Sequence, residues 1–187
     1  MKSHNVRIIA GRWRGRHIHF PHVAAIRPTP DRVRETVFNW LMHDIVGAHC
    51  LDAFAGSGAM GLEALSRGAA QVVFLDKHPD VVKGLKQILS ELELDTEAVV
   101  KKTDTTKWLK RPCESPFNII FIDPPFHRGL VVPVLAGIIE FGWLAADGLI
   151  YIESENEVDE AAVASFELRI LKQKKSGDVH YALLGRA

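Results

Sequence analysis

The sequence predicts an α/β fold: a mostly parallel seven-stranded sheet with helices on both faces and a C-terminal antiparallel hairpin. Three observations carry this. Short apolar runs alternate with helical patterns from "HCLDAF" to "GLIYIES", and such alternation builds parallel sheets. A glycine loop separates the first of these runs from the first following helix. Two consecutive strand patterns, "FELRILKQKKSG" and "VHYALLGRA", close the chain; an antiparallel pair at the edge of a parallel sheet is a common ending.

The elements follow in order. Residues 6 to 20, "VRIIAGRWRGRHIHF", alternate apolar and basic residues around glycines, which predicts a short strand pair. Val33, Val37, Phe38, Leu41 and Ile45 recur at helical spacing, with Asp31 as candidate N-cap. "HCLDAF" is a strand, "MGLEALSRG" a helix and "QVVFLD" a second strand. A helix runs from about Pro79 to Leu92, then strand "EAVVKKTD" and the short helix "TTKWLK". "NIIFID" is the fourth strand, "RGLVVPVLAGIIEFGWL" is helical and "GLIYIES" is the fifth strand. The final hairpin turns at Ser176-Gly177. No internal repeat or low-complexity segment interrupts the pattern.

Composition narrows the class. A chain of 187 residues fits one domain, and 47% apolar content fills a core without staples. No apolar run reaches the roughly 18 residues of a membrane span, and the N-terminus lacks the apolar stretch of a secretory signal. Cys50 and Cys113 have neither disulfide nor zinc spacing, which predicts reduced thiols in a cytoplasmic protein. Net charge is zero, yet up to Arg34 eight basic residues face a single acid, Asp31. The acidic stretch Glu153 to Glu160 compensates. A basic arm on a neutral protein either holds a polyanion at one end or is a solvated face.

Gly56, Gly58 and Gly61 form G-x-G-x-x-G in strand–loop–helix context. Alone this says that a ligand approaches the backbone at a helix N-terminus, where an anion is favoured. A pyrophosphate would mean a nicotinamide enzyme; a carboxylate would suit the methionine half of S-adenosylmethionine. Asp52, four residues before Gly56, favours the second: a carboxylate there repels pyrophosphate and suits an ammonium, unless it serves only a turn. Asp76 ends the second strand, where an acid suits ribose hydroxyls with either cofactor. Asp104 ends the third, placed for an adenine amine, a helix N-cap, or both.

"NIIFIDPPF" asks why an apolar strand ends in an acid, two prolines and an aromatic ring. Asp123 points into the same crevice as Asp52. Pro124 and Pro125 stiffen the loop and remove two N–H donors, which leaves their carbonyls free to accept. Phe126 adds a flat apolar face. Acceptors beside a ring suit a nucleobase with an exocyclic amine, which donates to Asp123 and to the Pro124 carbonyl and stacks on Phe126. Those hydrogen bonds draw the nitrogen lone pair out of the ring and aim it at a methyl group.

"RIIAGRWRGR", "IRPTPDRVRETVFNWL", "LDAFAGSGAMGLEALSRGA", "FIDPPFHRGL" and "LIYIESE" together resemble the RsmD family across nearly the whole chain. The resemblance implies a Rossmann-like S-adenosylmethionine-dependent methyltransferase fold over 31–187, with a basic N-terminal arm over 1–30 as part of the same domain. It implies methylation of a guanine N2 amine in small-subunit (16S) ribosomal RNA, at guanine 966. By this resemblance Asp52, Phe54, Ala55, Gly56, Ser57, Gly58 and Gly61 hold the methionine part of the cofactor. Asp76 and Lys77 lie at the ribose, Asp104 and Thr105 near the adenine, and Asp123 to Phe126 hold the guanine amine. Arg7, Arg12, Trp13, Arg14, Arg16, Arg27, Thr29, Arg32 and Arg34 contact RNA, with Arg27, Pro28 and Thr29 beside the mouth of the site. Two positions depart from the family: His78 stands where a second acid is usual, and Asp104 where Asn is frequent.

The implied reaction is in-line methyl transfer from sulfonium to nitrogen, driven by positioning and by acceptors around the amine, without a metal. His17, His19 and His22 have no cysteine or acid cluster beside them and read as surface or RNA contacts. The target base must leave its stack, which splayed RNA loops make easy. The expected partner is 16S ribosomal RNA or the assembling small subunit, and the expected state is a monomer with no membrane contact. Rival readings are a DNA adenine or protein glutamine methyltransferase, a nicotinamide oxidoreductase, and a non-catalytic RNA-binding assembly factor.

Overall fold

The arm begins the structure. Strands β1 (His4–Arg7) and β2 (His17–Phe20) pair antiparallel, with Val6 opposite Ile18. The computed structural model describes residues 4–20, 29–94 and 96–187. Alternation sends Val6, Ile8, Ile18 and Phe20 inward and leaves Arg7, Arg16, His17 and His19 in solvent, as a half-buried ribbon requires.

Helix α1 (Asp31–Trp40) buries Val33, Val37 and Phe38, and the turn after it buries Leu41 and Ile45. Asp31 is not its N-cap. Pro30 occupies that position with no side-chain cap, and the Asp31 carboxylate pairs with Arg34 at 2.5 Å. Proline supplies the fixed φ needed at a helix start, and the acid joins the first turn, where the helix dipole favours it.

The sheet then forms from β3 (His49–Asp52), β4 (Gln71–Asp76), β5 (Ala98–Lys102), β6 (Phe117–Ile122), β7 (Leu144–Ser154), β8 (Leu168–Ser176) and β9 (Val179–Arg186). Its spatial order is β5-β4-β3-β6-β7-β9-β8. The first five strands are parallel, and β9 joins antiparallel to both β7 and β8. Between them lie α2 (Ala59–Ser66), α3 (Pro79–Glu91), α4 (Thr105–Trp108), α5 (Val131–Glu140) and α6 (Glu160–Ala164). The final turn sits at Gly177-Asp178, one residue later than read from sequence, with Gly177 at φ +59°. Helix α6 was not expected. It starts at the last residue of the acidic stretch, is capped by Asp159 through the Ala161 N–H at 2.9 Å, and buries only Val163. One apolar residue gives no helical periodicity to read.

Two apolar layers flank the sheet. On one face Cys50, Phe74, Phe121, Tyr151 and Leu183 pack under the arm, α1, α2 and α3. On the other Leu51, Leu75, Ile120, Ile122 and Ile150 pack against Trp108, Leu135 and Ile138 of α4 and α5. A Cβ on Gly61 would lie 2.2 Å from the Phe74 ring, so α2 rests on β4 with no space for any side chain. Among the described residues no helix is long and apolar enough to cross a membrane. The strand order reverses between β3 and β6, and at such a reversal the carboxyl ends of the strands open a crevice.

Candidate active site

Asp52, Asp76 and Asp104 stand at or just past the carboxyl ends of β3, β4 and β5. The loop after β3 is pinned on both sides: Ala53 N–H donates to the Phe121 carbonyl (3.0 Å) and Ala55 N–H to the Leu75 carbonyl (2.9 Å). Gly56 (φ +50°) and Gly58 (φ +73°) take the left-handed turns that lead into α2. Asp76 clasps this loop. Its Oδ2 accepts from the Gly56 N–H (3.0 Å) and its Oδ1 from the His78 N–H (2.8 Å). Each oxygen keeps a lone pair for a further donor. Lys77 beside it is exposed, Phe54 is half-buried, and Ala55 and Ser57 are buried.

Asp52 is buried, and its Oδ2 accepts from the Gly61 N–H of α2 at 3.0 Å. Burial, and less so the charge of Asp76, push its carboxyl up to about 7 against the pull of that hydrogen bond. Gly61 therefore acts through packing and through Asp52. Asp104 caps α4, accepting from the Thr106 hydroxyl (2.5 Å) and the Lys107 N–H (3.2 Å). The Thr106 bond chiefly holds its carboxyl below the usual range. Thr105 is buried and donates its hydroxyl to the Ala53 carbonyl. It ties the β3 exit to α4, next to Asp104.

Asp123 follows β6 directly. It is half-buried, Pro124 is buried, Pro125 exposed and Phe126 half-buried. His127 (φ +60°) turns the loop back, and its N–H donates to Glu155 Oε1 at 3.0 Å. The parallel register sets Asp52 opposite Phe121, so Asp123 lies one pleat further out on the same face. Burial, then the charges of Glu153 and Asp52, raise the Asp123 carboxyl well above its ordinary value, and the Thr29 hydroxyl opposes this.

Sequence reasoning missed Glu153. It is buried at the carboxyl side of β7, and the Tyr151 phenol donates to its Oε1 at 2.8 Å. Its signal was available, an acid ending a strand like the others, but it was absorbed into the acidic stretch read as compensating charge.

The arm residues divide. Arg7, Arg12, Arg14, Arg16 and Arg32 are exposed, and the Arg12 guanidinium lies 5.0 Å from the centre of the Trp13 ring. Trp13 is half-buried and packs against the core. Arg34 is not a surface contact: it is 1% exposed, paired with Asp31, 3.6 Å from Glu63 Oε2, and donating to the Thr29 and Arg7 carbonyls (3.3 and 2.9 Å). A buried charge needs such partners. Thr29 is buried too, with its hydroxyl 3.4 Å from Asp123 Oδ2, so it faces the site rather than solvent. Arg27, Pro28 and His22 lie outside the described residues. The arm loop is clamped to α2. Glu63 accepts from the Ile9 and Ala10 N–H groups (2.8 and 3.0 Å), and the Ser66 hydroxyl donates to the Ala10 carbonyl (2.6 Å) while accepting from the Trp13 N–H (3.1 Å).

Comparison with known proteins agrees with this geometry. The family model described as "Conserved hypothetical protein 95" matches residues 6–185. The chain is 43% identical to ribosomal RNA small subunit methyltransferase D of Haemophilus influenzae, over 95% of this chain and 92% of that one. To the protein of the same name in Escherichia coli K12 it is 44% identical, over 98% and 91%. An Escherichia coli structure described as a candidate methyltransferase superposes with a TM-score of 0.85 at 44% identity, covering 98% of each chain. At 21% identity, half of the Thermus thermophilus 16S rRNA N2 G1207 methyltransferase RsmC matches the whole chain with a TM-score of 0.75, a likeness of fold. The chain belongs to the RsmD family of ribosomal RNA small subunit methyltransferases.

Proposed function

We propose that this chain transfers a methyl group from S-adenosylmethionine to the exocyclic N2 amine of a guanine in small-subunit (16S) ribosomal RNA. The observation that carries the reading is the corner Asp123-Pro124-Pro125-Phe126. It is accessible, poor in donors and rich in acceptors, and it stands one strand from Asp52 at the reversal of strand order. The RNA class comes from the Haemophilus influenzae and Escherichia coli relatives, both named ribosomal RNA small subunit methyltransferase D. Guanine 966 as the target rests on the family resemblance, and a cytoplasmic setting on the spacing of Cys50 and Cys113.

The residues fit the cofactor. Asp52 and Asp123 lie on one face of adjacent strands, and the charge of Asp52 helps push the Asp123 carboxyl upward. Such a pair favours a cationic ligand, and S-adenosylmethionine carries an ammonium and a sulfonium. Asp52 suits the ammonium, Asp76 the ribose hydroxyls, and Asp104 or the nearby backbone the adenine. When bound, the cofactor supplies an electrophilic methyl, which the amine lone pair takes as the sulfur–carbon pair returns to sulfur.

This chain's own residues do the rest. Asp123 and the Pro124 carbonyl accept the two N–H bonds of the amine, which localises its lone pair and orients it. Phe126 stacks on the base. The methylated nitrogen then releases a proton to Asp123, so Asp123 need not be a strong base beforehand. Exposed Arg7, Arg12, Arg14, Arg16 and Arg32 grip phosphates, and the stack of Arg12 on Trp13 stiffens part of that surface.

Asp123→Ala tests the reading. It should abolish methylation of RNA from a strain lacking the modification while S-adenosylhomocysteine still binds. Full activity in that variant would refute the site.

A further inference from the structure

A second basic surface lies away from the arm, on the edge strand β8, where Lys172 and Lys174 are exposed. Leu168 and Ile170 of that strand pack with the α4–α5 layer. Strict alternation would send Lys172 and Lys174 to the same face as these two. The register prevents this. Ile170 pairs with Leu184 but Lys172 with Leu183, so Leu171 is an extra residue and the strand bulges there. Leu183 belongs to the opposite layer, under the arm and α1, as does Tyr181, the partner of Lys174. A bulge re-aims the side chains that follow it, and here it turns both lysines to the arm's face of the sheet. The position of Lys172 agrees: its Nζ lies 6.0 Å from the centre of the Trp40 ring of α1, and that ring stacks on Tyr181 at 5.5 Å.

The same register leads from these lysines to the catalytic corner. Ile122 pairs with Ile152, so Asp123 emerges beside Glu153. Glu153 pairs with Tyr181, and Tyr181 with Lys174. Asp123, Glu153, Tyr181 and Lys174 thus form one row across four neighbouring strands, on one face. Three inter-strand spacings separate the ends of the row, about 14 Å between Cα positions. At about 3.4 Å of axis per nucleotide, that is within about four nucleotides of a base held at Asp123.

Helix α1 divides this surface from the arm. Arg34 reaches Glu63 of α2 on one side, and Trp40 covers Tyr181 of β9 on the other. Arg32 and Thr36 stand eight and four residues before Trp40 and continue its flank of the helix. Asp31 is paired with Arg34, and helical spacing puts Glu35 on the opposite flank from Trp40. Among the described residues no carboxylate lies within ion-pair distance of Lys172 or Lys174. Lysines on an edge strand also discourage edge-to-edge pairing. That role is indifferent to the face they take and needs no bulge to turn them.

Resting on the methyl-transfer reading above, we propose that Lys172 and Lys174 form a second phosphate grip: the RNA strand carrying the target guanine crosses the crevice at Asp123, held by the arm on one side of α1 and by these lysines on the other. Phosphate contacts carry no sequence information but fix the register and orientation of a nucleic acid. Two grips flanking the extruded base hold it at the corner more firmly than one.

The test is binding of unmodified small-subunit RNA across a salt series, with the full-length protein. Lys172→Gln combined with Lys174→Gln should weaken binding about three- to thirtyfold at about 0.1 M salt and raise the KM for RNA. The slope of log affinity against log salt should flatten by about 1.4. Lys172→Arg with Lys174→Arg should keep both the affinity and the slope. Lys83→Gln with Lys86→Gln removes the same charge from the exposed side of α3 and should leave the slope as in wild type. S-adenosylhomocysteine affinity should be equal in all of these proteins. Combined with Arg12, Arg14 and Arg16 changed to Ala, the lysine effect should multiply the loss, as for separate sites. A wild-type slope in the β8 glutamine pair overturns the proposal, and so does equal flattening by the α3 pair. Unchanged RNA binding with lower activity on an assembled small-subunit particle overturns it in favour of a protein contact. Absence of N2-methylguanosine with the wild-type protein, while the lysine-dependent slope persists, would instead overturn the methyl-transfer reading and leave the grip standing.

Discussion

Gly61 donates its backbone N–H to Asp52 Oδ2 across 3.0 Å, from helix α2 to the end of β3. The bond fixes one oxygen of a buried carboxylate at the centre of the crevice. The Asp52 carboxyl is nonetheless raised to about 7, by burial first. In the unfolded chain it would titrate near its ordinary value of about 4. The folded state therefore holds a proton that the unfolded state has lost between roughly pH 4 and 7. This contribution to stability is present at acid pH and is lost as pH rises through 7. Asp52→Asn keeps the acceptor for Gly61 and removes the charge. Its melting temperature at pH 8 should rise, by a stabilisation of about 1 to 4 kcal/mol, while S-adenosylhomocysteine affinity drops at least about tenfold. An unchanged melting temperature would contradict the strain assigned to Asp52.

The same group predicts proton linkage on binding. An ammonium at Asp52 needs the ionised form, so cofactor binding near pH 6 should release a proton. Affinity should climb between pH 6 and 8. Calorimetry in two buffers of different ionisation enthalpy measures the released proton directly, and equal heats in both would contradict the placement of the ammonium.

The arm clamp predicts a stability effect far from the crevice. Glu63 is fully buried and accepts from Ile9, Ala10 and Arg67, the last at 2.7 Å. Glu63→Ala strands two backbone N–H groups and leaves Arg34 and Arg67 short of an anion. Breaking one side of a buried pair typically costs about 3–5 kcal/mol. Urea unfolding should show a loss of that order, and hydrogen exchange should quicken over residues 8–16.

The arm surface predicts an ionic-strength effect. Arg12, Arg14 and Arg16 changed together to Ala should weaken RNA binding and flatten its dependence on salt by a slope of about 2. Gly11→Ala should weaken RNA binding by another route. Gly11 has φ +83°, and a Cβ there would lie 1.8 Å from the Ser66 carbonyl oxygen, so the loop must lift from α2. Cofactor affinity should hold in both variants. A salt slope equal to wild type in the triple variant would contradict the arm as the grip.

Much of the fold was readable because the buried strands are written as apolar runs between turn residues. The four aspartates could be placed because each ends such a run, and topology puts those ends at one edge. Arg34 could not be placed the same way. Its burial depends on Glu63, which reaches it only through packing of α1 against α2, and a count of basic residues carries no trace of that. The Thr105 hydrogen bond could not be read for a related reason: its partner is a backbone carbonyl in the loop after β3. Glu153 escaped because the acidic stretch absorbed it; only the register between β6 and β7 shows that it emerges beside Asp123. Helix α6 buries too little to leave a pattern.

The most direct test of the central claim is transfer of labelled methyl from S-adenosylmethionine to small-subunit RNA that lacks the modification, followed by mapping of the labelled nucleoside. The structure predicts label in N2-methylguanosine at one position with the wild-type protein and none with Asp123→Ala. Label in a different nucleoside, or equal label with both proteins, would contradict the role given to Asp123-Pro124-Pro125-Phe126.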